Sequence, residues 1–351
     1  MKIVSVRILI LLFVFPSALL AQNSSRKWTN SNGIVIDAEL ASYDGSVATL
    51  IKNGKEFPVK VETLSEEDRQ WLTNWQKEKT KKFESLIGLL ENIPISHRYG
   101  KTTDDYFAGP FGAKHRKFYD TKVSICDDGK KGLFMKCDES VAWKDQNMLV
   151  YCPPSYKGES TPMGIYINIS AGDTPIALKQ GYDKVMDQRK LIYASPYGTS
   201  NNQSDVRRMA LVLDTLASLR ANYQIDNSRV FVGGVSGGGA MSSWMAVYFP
   251  EFRGALNQVR NAYIPSESCF PSVDEGDVKG IVRRKQAFAW ITGPKDFNYK
   301  HILLSAPTWN KKGFVSKLFD VPGMSHGSAP ADALAQALDW AEASSMPPKG
   351  S

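Results

Sequence analysis

The sequence predicts an α/β protein, a mostly parallel sheet covered by helices on both faces, preceded by a small all-β module. Three observations carry this. After Pro94, short apolar runs alternate with helix-length segments, the rhythm of β-α-β units. Between residues 26 and 64 the pattern is instead short strands of alternating polarity, broken by turn residues. One apolar run drives into a glycine-rich turn and re-emerges as a helix, "RVFVGGVSGGGAMS", residues 229–242.

The 351 residues suffice for one large domain and a small one. Hydrophobic residues make up 42% and charged residues 23%, a globular composition rather than a disordered or fibrous one. The net charge of +7 is modest, and lysines cluster in short patches such as residues 77–82, without interleaved aromatics. Such patches read as solvated helix faces, so nucleic acid is not an expected partner.

The chain opens "MKIVSVRILILLFVFPSALLAQ": Lys2 and Arg7 precede an apolar stretch, and Ala21 offers a small residue for cleavage. Pro16 interrupts the stretch and no stop-transfer flank follows, so residues 1–21 are expected to be a secretory signal. That places the mature protein outside the cell or in the periplasm, with no stable membrane insertion after cleavage. An oxidising compartment gives the four cysteines, Cys126, Cys137, Cys152 and Cys269, two expected disulfides. Three pairings are open. Cys126 and Cys137 flank the turn-rich "DDGKKG", which favours 126–137 with 152–269. There is no CxxC pair to suggest structural zinc.

In chain order, "GIVIDAEL", "SVATLIK" and "KEFPVKV" are expected strands separated by "YDGS" and "KNGK" turns. They bury too little singly and are expected to close into a small barrel over residues 22–65. A helix follows from "LSEEDRQWL", with Ser65 as its cap and acids in its first turn, running to about Glu91 as a helical linker over residues 66–95. The catalytic region is expected over 96–351. Its strands are "KFYDTKVSIC", "QNMLVYC", "MGIYINIS", "KLIYASP", "RVFVGGV", "QAFAWITG" and "GFVSKLFDV". Helices are expected near 175–189, from Asp205 to Tyr223, up to Phe249, and from Ala331 to about Ala343.

Within the glycine-rich turn, Gly234-Val235-Ser236-Gly237-Gly238 fits G-x-S-x-G. A serine on a sharp strand-to-helix turn has its hydroxyl pushed out above the sheet, and its neighbours two before and two after must be small. No GxxxxGK and no GxGxxG spans this turn, so a phosphate cradle is not expected. A nucleophilic serine needs a base. Of His97, His115, His301 and His326, the order serine, acid, histidine leaves the last two. His301 lies in the helix-like "NYKHILLSA"; His326 lies in the loop "VPGMSHGSAP" and is the favoured base. Asp296, in the loop "PKDFN" after an apolar strand, is the favoured acid, and it could also cap the helix starting at Asn298. Asp320 is a rival expected inside or at the very end of an apolar strand, where a buried carboxylate is costly unless paired, and Asp274, Glu275 and Asp277 are further rivals. For the oxyanion, Gly237 N–H is one expected donor, and the second is expected from the loop Ser170-Ala171-Gly172-Asp173.

The runs "LVYCPPSY", "MGIYINISAGD", "VFVGGVSGGG", "ITGPKDFN" and "VPGMSH" resemble the α/β-hydrolase superfamily over about residues 96–345, and within it secreted carbohydrate-ester and polyhydroxybutyrate-depolymerase-type esterases. The resemblance implies Ser236 as nucleophile, Asp296 as acid and His326 as base. Many relatives carry His-Gly-Gly where this chain has Ile169-Ser170-Ala171-Gly172, so the first oxyanion donor stays open between Ser170 and Ala171. Residues 26 to about 75 resemble the SH3-like barrel that serves as an N-terminal module in some secreted bacterial proteins. That resemblance implies a spacer, or a module binding a surface glycan or protein. The expected function is a secreted serine esterase acting through an acyl-enzyme on an ester substrate, carbohydrate-linked or polymeric. No metal or organic cofactor is required for that chemistry. A peptidase on the same scaffold, or a degenerate binding protein, are the alternatives.

Overall fold

A computed structural model describes residues 25–43, 45–112, 126–127, 130–131, 143–261 and 273–345. The expected signal segment, His115, Cys137, Cys269 and most of "KFYDTKVSIC" lie outside the described residues. The chain forms two units, Met1–Glu84 and Ser85–Ser351.

In the first unit, β1 (Arg26–Thr29), β2 (Val35–Tyr43), β3 (Val47–Lys52) and β4 (Lys55–Lys60) form one antiparallel sheet in sequence order. Alternation does what it should: Ala38, Leu40, Ala48 and Leu50 point inward onto Trp28, while their neighbours face water. After β4 the chain returns to the end of β1, where Asn30 bridges Leu64 and Ser65 N donates to Thr29 O. Helix α1 (Glu66–Glu84) starts at Ser65, whose Oγ accepts from Asp68 N at 3.2 Å, and Leu72 on its inner face completes the small core. Buried Asp68 ties helix to strand, accepting from Thr29 N and from the Arg26 guanidinium, each at 2.6 Å.

The expected helix to about Glu91 needs correction. It ends at Glu84, and Gly88–Pro94 is strand β5, an edge strand of the large sheet. Gly88, at φ 86, takes the left-handed turn that separates the two. Leu86, Ile87, Leu89 and Leu90 form a run that reads equally well in helical or extended spacing, so periodicity could not choose.

In the second unit, α2 (Thr103–Ala108) and a two-residue ladder of β6 (Cys126–Asp127) with β7 (Lys130–Lys131) precede the main sheet strands. These are β8 (Asn147–Cys152), β9 (Met163–Ile169), β10 (Leu191–Pro196), β11 (Ile225–Val235), β12 (Gly254–Gln258), β13 (Ala287–Thr292) and β14 (Val315–Asp320). With β5 they make an eight-stranded sheet in the order β14-β13-β12-β11-β9-β10-β8-β5. The six strands from β9 on run parallel; β8 pairs antiparallel with both β10 and β5. An antiparallel second strand and a single crossing of the third and fourth strands define the α/β-hydrolase fold.

The connecting helices are α3 (Tyr182–Arg189), α4 (Asp205–Asn222), α5 (Gly237–Tyr248), α6 (Glu275–Arg283), α7 (Tyr299–Ile302), α8 (Ser305–Lys311) and α9 (Ala331–Ser345). The central strands are buried on both faces: every residue of β9, β10, β12 and β13 lies inside. Long α4 is capped by Ser204, which accepts from Arg207 N, and buries most of its residues from Val206 to Leu219, polar Arg208, Asp214, Thr215 and Ser218 among them. No described helix is long and apolar enough to cross a membrane.

The expected 152–269 disulfide is also corrected. Cys152 carries a free thiol, fully buried at the end of β8, with Sγ 3.8 Å from Pro153 O. Burial, reinforced by the Asp187 carboxylate, pushes this thiol up to about 12. A small residue filling an apolar strand end is how a reduced cysteine behaves in a core. The 126–137 pairing falls outside the described side chains.

Candidate active site

The centre of the site is the joint between β11 and α5. Val230, Phe231 and Val232 drive β11 through the middle of the sheet, and Gly237 begins the helix. Ser236 between them adopts φ 56, ψ −119, a conformation that a residue with a side chain holds only when its surroundings enforce it. Its N–H donates to Gln258 O at 3.0 Å, and its carbonyl accepts from Ala240 N, so both peptide groups of the turn are fixed. The glycines explain themselves by contact. A Cβ on Gly234 would overlap the Gly238 backbone, one on Gly238 would overlap Ile169 O, and one on Gly237 would overlap the Asn201 carboxamide. Strand, helix and the loop after β9 therefore meet at van der Waals distance around Ser236.

Asp296 and His326, 30 positions apart, come together on adjacent loops at the carboxyl end of the sheet. His326 Nδ1 lies 2.8 Å from Asp296 Oδ1. The loops themselves are joined, since Lys295 and Ser325 form a bridge and Lys295 N donates to Met324 O. Asp296 is buried, and its acceptors are used: Oδ2 takes the Thr292 hydroxyl at 2.8 Å, while Oδ1 also takes Asn298 N at 3.1 Å. The carboxylate thus orients the imidazole and closes the turn into α7 at once. A carboxylate can only accept, so Nδ1 carries the proton and Nε2 presents its lone pair. The exposed ring of Phe297 stacks on His326, with centroids 3.9 Å apart and planes 24° apart, which limits the rotation of the imidazole.

In the loop after β9, three carbonyls are taken up by neighbouring donors. Ser170 O accepts from Thr199 Oγ1, Ala171 O from Asn201 N and Asp173 O from Gly198 N. Ser170 Oγ accepts from Gly172 N at 3.0 Å, which folds the loop on itself. Gly237, in the first turn of α5, has no intrahelical acceptor for its N–H, as at any helix start.

The other candidates lie elsewhere. His301 is exposed on α7. His97 is buried between Asp214 and Asp145, with its ring nitrogens 3.3 and 3.5 Å from their carboxylates. Asp274 caps α6 in a reciprocal pair with Asp277, and Glu275 pairs with Lys279 on the same helix. Asp320 is the last residue of β14, at the very end of the apolar strand, but it is exposed rather than buried, and it accepts from the Tyr299 hydroxyl at 2.7 Å. It closes β14, an edge strand of the sheet.

Sequence reasoning missed Gln258. Its carbonyl holds Ser236 N, its Oε1 takes Ala329 N from the His326 loop at 2.7 Å, and its Nε2 donates to the Tyr166 hydroxyl. A fully buried glutamine at a strand end is the signal, a polar residue closing the apolar run "GALNQV". Asn201 and Phe297 were also missed, for they stand in loops whose course no pattern encodes. Among the described residues no cluster of His, Cys, Asp and Glu is placed to hold a metal.

No protein-family model matches this chain, and no curated protein matches it. Solved structures do. The chain is similar to the fluorophosphonate-binding serine hydrolase F (FphF) of Staphylococcus aureus, with TM-score 0.44 and 16% identity over 56% of this chain and 92% of that one. It is similar to an S-formylglutathione hydrolase from Agrobacterium tumefaciens, with TM-score 0.44 and 14% identity over 58% and 91%. A ferulic acid esterase gives TM-score 0.44 and 14% identity over 56% and 90%. These neighbours are serine hydrolases and esterases, while the fold of this chain is assigned by its own strand order.

Proposed function

We propose that this protein is an exported carboxylic ester hydrolase with Ser236 as nucleophile, His326 as general base and Asp296 as the acid that orients it. The observation that carries the reading is the 2.8 Å contact between His326 Nδ1 and buried Asp296, on loops after β13 and β14 at the same carboxyl end of the sheet where Ser236 closes β11 in a strained turn. In this reaction His326 Nε2 takes the hydroxyl proton as Ser236 Oγ bonds to the ester carbonyl carbon. Negative charge develops on the carbonyl oxygen, which Gly237 N–H and an amide of the Ser170-Ala171 loop would stabilise. The tetrahedral species collapses, the C–O bond to the alcohol breaks, and His326 returns its proton to the leaving alcohol. Water then attacks the acyl-enzyme by the same proton route and releases the acid.

Carbohydrate-linked or polymeric esters are the proposed substrates, with the N-terminal sheet acting as an SH3-like module that spaces the enzyme from a surface glycan or protein or holds it there. An active-site fluorophosphonate probe, with turnover of p-nitrophenyl acetate, tests the chemistry. Wild type labels and turns over. Ser236→Ala does neither while keeping the wild-type circular dichroism spectrum and melting temperature within a few degrees. A folded Ser236→Ala protein with wild-type turnover would falsify the nucleophile assignment. A panel of acetyl, feruloyl and hydroxyalkanoate esters then ranks acyl groups.

A further inference from the structure

G-x-S-x-G asks for small residues at 234 and 238 and leaves the position after the serine free, yet this chain has Gly237 there. Glycine is a poor helix former, and Gly237 is the first residue of α5. The structure shows what occupies the space it leaves. A Cβ on Gly237 would lie 1.9 Å from Asn201 Oδ1, 2.6 Å from its Cγ and 2.7 Å from its Nδ2. The Asn201 carboxamide therefore lies against the Gly237 backbone, one residue from the nucleophile, and any side chain at 237 would expel it. Asn201 comes from the loop after β10, and that loop is fastened to the site. Gly198 N donates to Asp173 O at 2.8 Å, Thr199 Oγ1 to Ser170 O at 3.2 Å and Asn201 N to Ala171 O at 3.0 Å. From α4, Arg208 Nε donates to Thr199 O at 2.8 Å, and Thr199 and Ser200 are buried. The backbone of Asn201 is thus tied to the Ser170-Ala171 loop while its side chain reaches Gly237, so it spans both walls expected to supply oxyanion amides. Asn201 is exposed to solvent, and among the described residues its carboxamide neither donates nor accepts a hydrogen bond. A polar side chain that serves only a loop commonly bonds the nearby backbone, as Ser200 Oγ does in accepting from Asn202 N at 3.3 Å. The carboxamide of Asn201 does not.

We propose that Asn201 is a further catalytic residue of this site, its carboxamide donating a hydrogen bond to the oxyanion beside Gly237 N–H and the amide of the Ser170-Ala171 loop. The proposal rests on the esterase reading for its chemistry. As Ser236 Oγ bonds to the carbonyl carbon, the π pair of the C=O moves onto oxygen, and the donor following the nucleophile is Gly237 N–H. The carboxamide packed on Gly237 lies beside that donor. No hydrogen bond holds either of its ends, so the growing negative charge draws the amino end toward itself. The backbone that carries it is already fixed through Ala171 and Thr199, so the donor is placed before the charge develops, which is the condition for a large effect on rate.

The test measures p-nitrophenyl acetate turnover by wild type, Asn201→Ala and Asn201→Asp, with circular dichroism and melting temperature to show that each is folded. Inhibition by an alkyl trifluoromethyl ketone, whose hemiketal with Ser236 carries the oxyanion, is measured on the same proteins. Removing one oxyanion donor typically costs about 10²–10³ in kcat, so Asn201→Ala should lose about that much with KM within about threefold of wild type, and the inhibition constant of the ketone should rise in step. Asn201→Asp keeps the shape and puts an acceptor-only carboxylate where the donor stood, so its kcat should fall at least as far. It also decides the question if Asn201→Ala fails to fold. A kcat within about threefold of wild type in a folded variant, or a loss confined to KM with inhibition by the ketone unchanged, overturns the proposal. In that case the wild type still turns over, and only the role of Asn201 falls. A wild type that neither hydrolyses the ester nor labels with the fluorophosphonate probe overturns the esterase reading and the role of Asn201 together.

Discussion

Asp296 and Asp320 carry the same functional group and precede the same histidine, yet their surroundings differ completely. Asp296 is buried with three donors on its two oxygens, one of them the imidazole. Asp320 is exposed and holds a tyrosine hydroxyl. Asp296→Asn should keep the shape and lose control of the imidazole tautomer, cutting kcat by about 10⁴ as in a serine protease triad. Asp320→Asn should leave turnover within about tenfold of wild type. Turnover normalised to folded, probe-labelled enzyme checks both, and the reverse pattern would move the acid to β14. Phe297 is 75% exposed, so its replacement costs the fold little. Its stacking on His326 is of a kind typically worth about 0.5–1.5 kcal/mol, so Phe297→Ala should lower kcat by about two- to tenfold with the melting temperature nearly unchanged.

At the scale of elements, the β11–α5 elbow is legible because its demands are local. Five consecutive residues state that strand and helix must nearly touch, and the contacts at Gly234 and Gly238 show why. Gly238→Ala puts a methyl into the Ile169 carbonyl, a backbone atom that cannot swing aside. Such overpacking costs typically about 1–3 kcal/mol. We expect a lower melting temperature and, because Ile169 leads into the Ser170-Ala171 loop, a loss of turnover larger than the loss of folded protein. The end of β8 was misread for the opposite reason. Cysteine count and compartment said nothing of the depth at which Cys152 lies. At pH 8 its buried thiol, protonated up to about 12, should resist iodoacetamide in the native protein and react in denaturant. Peptide mapping reads this directly, and a Cys152–Cys269 crosslinked peptide in a non-reduced digest would restore the disulfide.

For the whole molecule, the boundary between units falls at Glu84 and Ser85 rather than near residue 95. The ten residues after it include β5, whose backbone pairs with β8 from Gly88 to Pro94. A fragment starting at Ser85 should fold and turn over small esters like the full chain. A fragment starting at residue 96 loses an edge strand, leaves β8 unpaired on one side and should aggregate or melt earlier. Size-exclusion chromatography and p-nitrophenyl acetate turnover of the two fragments distinguish these outcomes. Equal behaviour would show that β5 is dispensable.

By itself the sequence determined whatever is written in contiguous residues. The parallel sheet follows from apolar runs alternating with helical segments, and the elbow from glycines two before and two after Ser236. Even the loop position of His326 follows, from its glycine and proline neighbours. Only the tertiary structure decided what depends on distant partners. The pairing of Asp296 with His326 spans 30 positions, and the exposure of Asp320 at the end of β14 is set by what the fold leaves around it. Gln258 joins the serine to the histidine loop through hydrogen bonds that no spacing encodes. The physical reason is common to all of these. Backbone conformation answers to the few residues that adopt it, whereas burial and charge pairing answer to whichever remote residues the fold brings near.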